Sequence, residues 1–166
     1  ILVTGATGFK GAWLCSWLIK LGAKVYGVGL NPNPNKKLFY SLKLQKKIKL
    51  KIFDIRDSKK ISNFIKSIKP SIVFHLAAQP LVRESYVRTI ETFNTNVIGT
   101  LNVLEAARDA GVSRVVFASS SSVYGPGQEL PKREEMLPQP ISPYAVSKLA
   151  GERYCHVFTK TFGVET

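Results

Sequence analysis

Apolar and polar positions follow two different periods along this chain, and the switches between them divide it into strands and helices. Ile1-Leu2-Val3 is a short apolar run. It gives way to glycines and then to residues 12–21, whose apolar positions recur at helical spacing. Residues 25–30 read as a second strand. Asn31-Pro32-Asn33-Pro34-Asn35 must break it, since proline lacks a donor and asparagine favours turns. Over 48–53 lysines alternate with apolar residues at period two, the pattern of a third strand. Ser58 is placed to cap a helix running to residue 68, with Ile61, Phe64, Ile65 and Ile68 on one face and Pro70 as its stop. Residues 71–75 are apolar and short enough for a buried fourth strand. A long helical region follows over 89–110, ended by Gly111. Residues 114–118 read as a fifth strand, and 119–141 as a loop rich in Ser, Gly and Pro. Ser142 then caps a helix over 143–162 that has Pro143 at its first position.

Strand and helix alternating five times predict an α/β fold with a doubly wound parallel sheet. Ligands of such sheets bind beyond the carboxyl ends of the strands, where the strand order reverses. The chemistry-bearing segments fall after Val3, Leu30, Phe53, His75 and Ala118, so the topology gathers them into one crevice.

A length of 166 residues and an ordinary composition fit one domain with a real core. No apolar run reaches the roughly 18 residues of a membrane span. Cys15 and Cys155 form no metal or redox spacing, so no metal site is expected and a reduced, cytoplasmic setting fits best. The formal net charge of +13 is uneven: residues 1–98 carry 14 Lys and 3 Arg against 4 acids, whereas residues 99–166 balance 7 against 7. No aromatic residues alternate with the lysines as a stacking platform for bases requires, so a solvated lysine-rich face is expected rather than a nucleic-acid site. The abrupt change near residue 98 suggests a mosaic of two related sequences.

Gly5, Gly8 and Gly11 follow the first strand and open the first helix. Unsatisfied N–H groups and the helix dipole make that turn a place for a pyrophosphate, and glycine lets phosphate and strand approach closely. Tyr144 and Lys148 stand four apart on the last helix and so share a face. A cation beside a phenol favours phenolate, which suits proton exchange with a substrate hydroxyl while a nicotinamide exchanges hydride. One serine of Ser119-Ser120-Ser121-Ser122 can bond the reacting oxygen opposite Tyr144. Asp54-Ile55 can accept from adenine and pack on it. The small residues of His75-Leu76-Ala77-Ala78 leave room for a flat cofactor, with His75 itself read as a packed structural histidine. Asn96 is placed to bond across to that strand end.

Together Gly5-x-x-Gly8-x-x-Gly11, Asp54-Ile55, His75-Leu76-Ala77-Ala78, Asn96-Val97-x-Gly99-Thr100, the serine run before Val123-Tyr124-Gly125, and Tyr144-x-x-x-Lys148 resemble the extended short-chain dehydrogenase/reductase family, in its nucleotide-sugar epimerase and dehydratase branch. The resemblance implies a Rossmann-type domain over residues 1–166 that stops before the sixth strand and the smaller C-terminal substrate domain of that family. It implies NAD, with NADP possible in principle, held by Gly5, Gly8, Phe9, Lys10, Gly11, Asn31, Asp54, Ile55, Leu76, Ala77, Ala78, Asn96, Tyr144 and Lys148. Matching Val-Tyr-Gly sets the catalytic hydroxyl at Ser120, with Tyr144 as acid/base and Lys148 on the nicotinamide ribose; Ser85, Ser121 and Ser122 fall on the substrate side. Asn31, with Lys36 and Lys37 nearby, stands where an acid normally favours NAD. The helices at 89–110 and 142–162 resemble those that pair two subunits, implying a homodimer.

Phe9-Lys10-Gly11 and residues 77–86 look like CDP-glucose 4,6-dehydratase, while residues 119–125 and 142–152 look like UDP-sugar 4-epimerases. A dehydratase must remove a C5 proton and protonate the departing C6 oxygen. Its relatives place Asp with Glu or Lys after the Ser/Thr, where this chain has Ser121 and Ser122, so the expected reaction is 4-epimerisation. A non-catalytic dinucleotide-binding module is the rival class, and Ser120, Tyr144 and Lys148 weigh against it.

Overall fold

A computed structural model describes residues 1–32, 38–127 and 130–166. Five parallel strands form one sheet: β1 (Leu2–Thr4), β2 (Tyr26–Gly29), β3 (Lys49–Ile52), β4 (Ile72–His75) and β5 (Arg114–Phe117), in the order β3-β2-β1-β4-β5. The chain moves outward from β1 to β3 and then returns to β1's other side as β4. The order therefore reverses between β1 and β4, and the crevice opens there. Register sets Thr4 level with His75, and His75 level with Phe117.

Helices cover the sheet in two layers, as a parallel sheet requires. On one face α1 (Phe9–Lys20) and α2 (Leu38–Ser41) close a core around Val3, Ala12, Cys15, Phe39 and Leu44. On the other lie α3 (Ser58–Ile68), α6 (Gly99–Asp109) and α7 (Pro143–Phe162), around Ile61, Ile65, Val103, Leu104, Val115 and Phe158. Between β4 and α6 run α4 (Val82–Val87), α5 (Thr89–Phe93) and a π-helical turn, Asn94–Ile98.

All five expected strands form; β1 is shifted one residue on, and the other four are one or two residues shorter than their apolar runs. The α7 cap is as expected: Ser142 Oγ accepts from the Ala145 N–H at 3.1 Å. For α3 the cap is Asp57 instead, whose Oδ1 accepts from the Lys60 N–H at 3.0 Å, and Ser58 is the first helical residue. A carboxylate is the stronger acceptor and sits one position earlier. The helical region at 89–110 is interrupted by the π turn, and Gly111, at φ +67°, ends α6. The helices α2 and α4 lie in segments left unassigned from sequence. Glu165 forms one parallel bridge beside Arg114, with its carbonyl accepting from the Val115 N–H at 2.8 Å, so the chain beyond α7 runs along the outer edge of β5. Among the described residues no helix is long and apolar enough to cross a membrane.

Candidate active site

One wall of the crevice is made by leaving side chains out. Gly5 turns the chain out of β1 at φ +71°, and a Cβ there would lie 2.8 Å from the Ala77 nitrogen. At Gly8 a Cβ would be 3.2 Å from the Gly5 carbonyl oxygen, and at Gly11 it would overlap that oxygen. The turn therefore rests directly on Leu76–Ala77, with the first turn of α1 resting on the Gly5 carbonyl. No side chain caps α1 and no acid occupies its first turn, so its leading N–H groups are left for an anion. Leu76, Ala77 and Ala78 are half-buried beside this cradle, and Phe9 and Lys10 are exposed at its lip, an arrangement chemically suited to a pyrophosphate.

The facing wall is α7. Tyr144 is half-buried in its first turn, and Lys148 one turn later is only 4% exposed. The Lys148 ammonium lies 4.5 Å from the centroid of the Phe117 ring at the end of β5. Gly151 abuts the same ring so closely that a Cβ would overlap it. Burial pulls the Lys148 pKa down to about 8, and the charge of Lys10 adds to the fall against the opposing pull of Cys155 and Glu152. Glycine-turn lysine and α7 lysine thus feel one another across a shared space. Beyond β5, Ser120 Oγ accepts from the Ser122 N–H at 3.2 Å and pairs with Ser122 Oγ at 2.8 Å; Ser119 donates to Glu152. Among the described residues no His/Cys/Asp/Glu group could hold a metal. Burial raises the Cys15 and Cys155 thiols to about 12 and about 11, so neither is a ready nucleophile.

Behind both walls runs a buried hydrogen-bond relay whose polarity can be worked out. Thr100 Oγ1 donates to the Asn96 carbonyl at 2.6 Å, so its contact with His75 Nε2 at 2.9 Å must be one in which Thr100 accepts. Nε2 then carries the imidazole proton, and Nδ1 accepts from Thr4 Oγ1 at 2.7 Å. Thr4 Oγ1 in turn accepts from the Ala77 N–H at 3.2 Å. Asn96 extends the relay: Oδ1 accepts from the Gln79 N–H at 2.7 Å, while Nδ2 donates to the Gln79 carbonyl at 3.1 Å and to Ser147 Oγ at 3.0 Å. Ser147 Oγ donates to the Tyr144 carbonyl at 2.7 Å. Side chains thus tie β1 to β4, β4 through Thr100 of α6 to the π turn, and the π turn to α7. Burial, with the charge of Lys148 added, drives the His75 pKa down to about 3, so the ring is neutral and structural, as expected.

The structure corrects several sequence expectations. Asn96 bonds across to the end of β4 as expected, but it is 1% exposed and its amide is spent on Gln79 and Ser147, so it braces the cofactor space from behind rather than touching the cofactor. Ile55 packs inward against Gly99 in the core, because α6 covers the end of β3, and presents no side-chain face to a ring. Asp54 accepts from the Arg56 backbone N–H at 2.9 Å and from its guanidinium at 3.0 and 2.7 Å. Burial pushes the Asp54 carboxyl up, but Arg56 outweighs it and holds the group below its ordinary value. Ser85 is fully buried, its hydroxyl donating to the Val82 carbonyl at 2.6 Å, so it offers nothing to a substrate in this conformation. Ser121 is exposed, Ser122 is tied to Ser120, and Asn31 is exposed just past β2; Lys36 and Lys37 lie outside the described residues. Sequence reasoning missed Thr4, Gln79, Ser147, Phe117 and Gly151.

Comparison with known proteins places the fold in a family. The family model described as GDP-mannose 4,6 dehydratase matches residues 2–166. A CDP-glucose 4,6-dehydratase of Salmonella typhimurium is 41% identical over 98% of this chain and 46% of its own length. A UDP-glucose 4-epimerase of Mycolicibacterium smegmatis is 36% identical over 99% of this chain and 52% of its own. The crystal structure of the Thermus thermophilus UDP-glucose 4-epimerase in complex with NAD superposes with a TM-score of 0.88 at 33% identity, covering 98% of this chain and 51% of that one. The chain therefore spans about half the length of the curated relatives it matches. Each match runs almost end to end, so the change in charge near residue 98 is not a change of family. The chain belongs to the GDP-mannose 4,6 dehydratase family, in the nucleotide-sugar epimerase and dehydratase branch of the extended short-chain dehydrogenases.

Proposed function

We propose that the protein is an NAD-dependent nucleotide-sugar 4-epimerase. The observation that carries this reading is the pair of residues after Ser120. Ser121 is an exposed hydroxyl and Ser122 is bonded to Ser120, so neither supplies the acid and base that loss of water across C5 and C6 demands. Epimerisation needs neither group.

The glycine cradle and the N-terminus of α1 would hold the pyrophosphate, with Leu76–Ala78 beneath it and Lys148 as the partner of the nicotinamide ribose. Bound there, NAD would supply reversible hydride transfer at the sugar C4. Tyr144 accepts the C4 hydroxyl proton and later gives it back, and Ser120 orients that oxygen. Lys148, charged at neutral pH, stands one helical turn from Tyr144 on the same face of α7. Rotation of the 4-keto sugar between the two transfers inverts the centre.

A second reading, CDP-glucose 4,6-dehydratase, draws on Phe9-Lys10-Gly11 and the Salmonella relative. Incubation of the purified protein with UDP-glucose and with CDP-glucose, followed by NMR of the products, separates the two. UDP-galactose is expected from the first; a 4-keto-6-deoxy sugar from either overturns the epimerase reading. We propose further that a second copy docks on α5–α7, where Ile90, Phe93, Val146 and Val157 are exposed apolar residues. Ile90→Lys with Val157→Lys is expected to give a monomer by light scattering.

A further inference from the structure

Lys148 presents a physical problem that its proposed role does not solve. It is a buried ammonium on α7, yet the carboxylate nearest in sequence on its own helix, Glu152, accepts the Ser119 hydroxyl, and neither Lys10 nor His75 can neutralise it. A buried cation that no carboxylate pairs with directly among the described residues is held charged only by weaker means, the longer-range pull of Glu152 among them. What it has instead is an aromatic face, the Phe117 ring, 4.5 Å from Nζ. That ring is fixed from two further directions. The His75 imidazole lies 5.8 Å from it, tilted by 30°, and Gly151 abuts it with no space for a Cβ. The relay keeps His75 neutral through Thr4 and Thr100, so no second cation competes for the ring.

We propose that Phe117 is a positioning residue whose ring face stands in for a counter-carboxylate, holding the Lys148 ammonium charged and aimed into the crevice. The ring quadrupole attracts a cation, and does so most strongly where water is excluded. A carboxylate in its place would hold Lys148 in an ion pair and draw it from the crevice, whereas a ring leaves all three N–H donors free for a ribose and a phenol. The assignment rests on the reading of Lys148 as the ribose and phenol partner. It adds the residue that keeps it so.

The test is a titration of Lys148 by NMR in the full chain labelled at lysine Cε, with the signal assigned by its loss in Lys148→Arg. Groups that bear on this titration are Lys10 from α1, His75 from β4, and Glu152 and Cys155 from α7. Phe117 is replaced by mono-, di- and trifluorinated phenylalanine, which weaken the quadrupole stepwise at nearly constant shape. The midpoint is expected to fall with each step, and with three fluorines to lie lower by about 0.5 to 1 on the pH scale. Gly151→Ala, which pushes the ring aside without removing it, is expected to move the midpoint the same way. A midpoint that stays level or rises across the fluorinated series overturns the proposal, because packing alone is insensitive to the quadrupole. The underlying reading fails separately: Lys148→Met with unchanged NAD affinity removes the ribose contact, whatever the slope of the series.

Discussion

The two walls of the crevice are built on opposite principles. At the glycine turn the site exists because side chains are missing: backbone meets backbone at Gly5, Gly8 and Gly11, and the ligand's place is left open. At α7 the site exists because polar side chains are buried, in a relay from Thr4 through His75 and Asn96 to Ser147 that holds Tyr144 and Lys148 from behind. A wall of the first kind fails when an atom is added. A wall of the second kind fails when an atom is removed, since every orphaned donor or acceptor pays its desolvation in full.

The sharpest break in that contrast comes from Tyr144→Phe. It removes one oxygen that makes no structural hydrogen bond among the described residues. Turnover is expected to fall by about 100- to 10,000-fold, with a urea midpoint close to wild type. Unchanged turnover would revive the non-catalytic reading.

Addition at the first wall comes next. Gly11→Ala forces a Cβ onto the Gly5 carbonyl and is expected to destabilise by about 3 kcal/mol and abolish NAD binding in calorimetry. Gly22→Ala is the control, at φ +80° with nothing near it, and is expected to cost only about 1 kcal/mol for its left-handed backbone.

Removal at the second wall follows. His75→Phe strands the Thr4 hydroxyl and an acceptor on Thr100, with an expected loss of about 2 to 4 kcal/mol. His75→Gln, which can still accept at one end and donate at the other, is expected to recover most of it. The same residue sets a pH dependence. Its pKa falls from 6.5 to about 3 on folding, so between those values the unfolded chain binds the extra proton. Stability is therefore expected to decline as pH falls from 6.5 toward 3, and the decline should be shallower in His75→Gln by denaturant titration.

The smallest effect separates a real cap from an apparent one. Ser142→Ala removes the acceptor for the Ala145 N–H and is expected to cost about 1 kcal/mol. Ser58→Ala is expected to change stability by less than about 0.5 kcal/mol, since Asp57 caps α3.

The same contrast explains what was legible in the sequence. Glycines spaced three and three, a phenol and an ammonium four apart, and serine before Pro143 are local patterns, and local patterns survive in one dimension. Strand cores were readable for the same reason. The relay was not: Thr4 and His75 are separated by 71 residues, His75 and Thr100 by 25, Asn96 and Ser147 by 51. Threonine and glutamine at such distances look like ordinary polar residues until the sheet register sets them level. Phe117 read as one more strand apolar, and nothing in its neighbours pointed to the lysine on a helix 31 positions later. The bond from Asn96 across to the end of β4 is legible in the sequence, whereas the inward turn of Ile55 is not, because sequence does not say which way a side chain faces.

The π turn at Asn94–Ile98 carries a lesson about insertion and deletion. A wide turn holds one residue more than a regular one, so everything after it is rotated by about 100° relative to an unbroken helix. Here the extra residue lets a single helical rod face two ways: Asn96 points at Gln79 and α7, while Val103, Leu104 and Ala107 point into the core. Loss of any one residue from the turn would leave a tidier helix whose apolar stripe had swung off the sheet. In the descent of such a chain, the length of this rod is not free to drift.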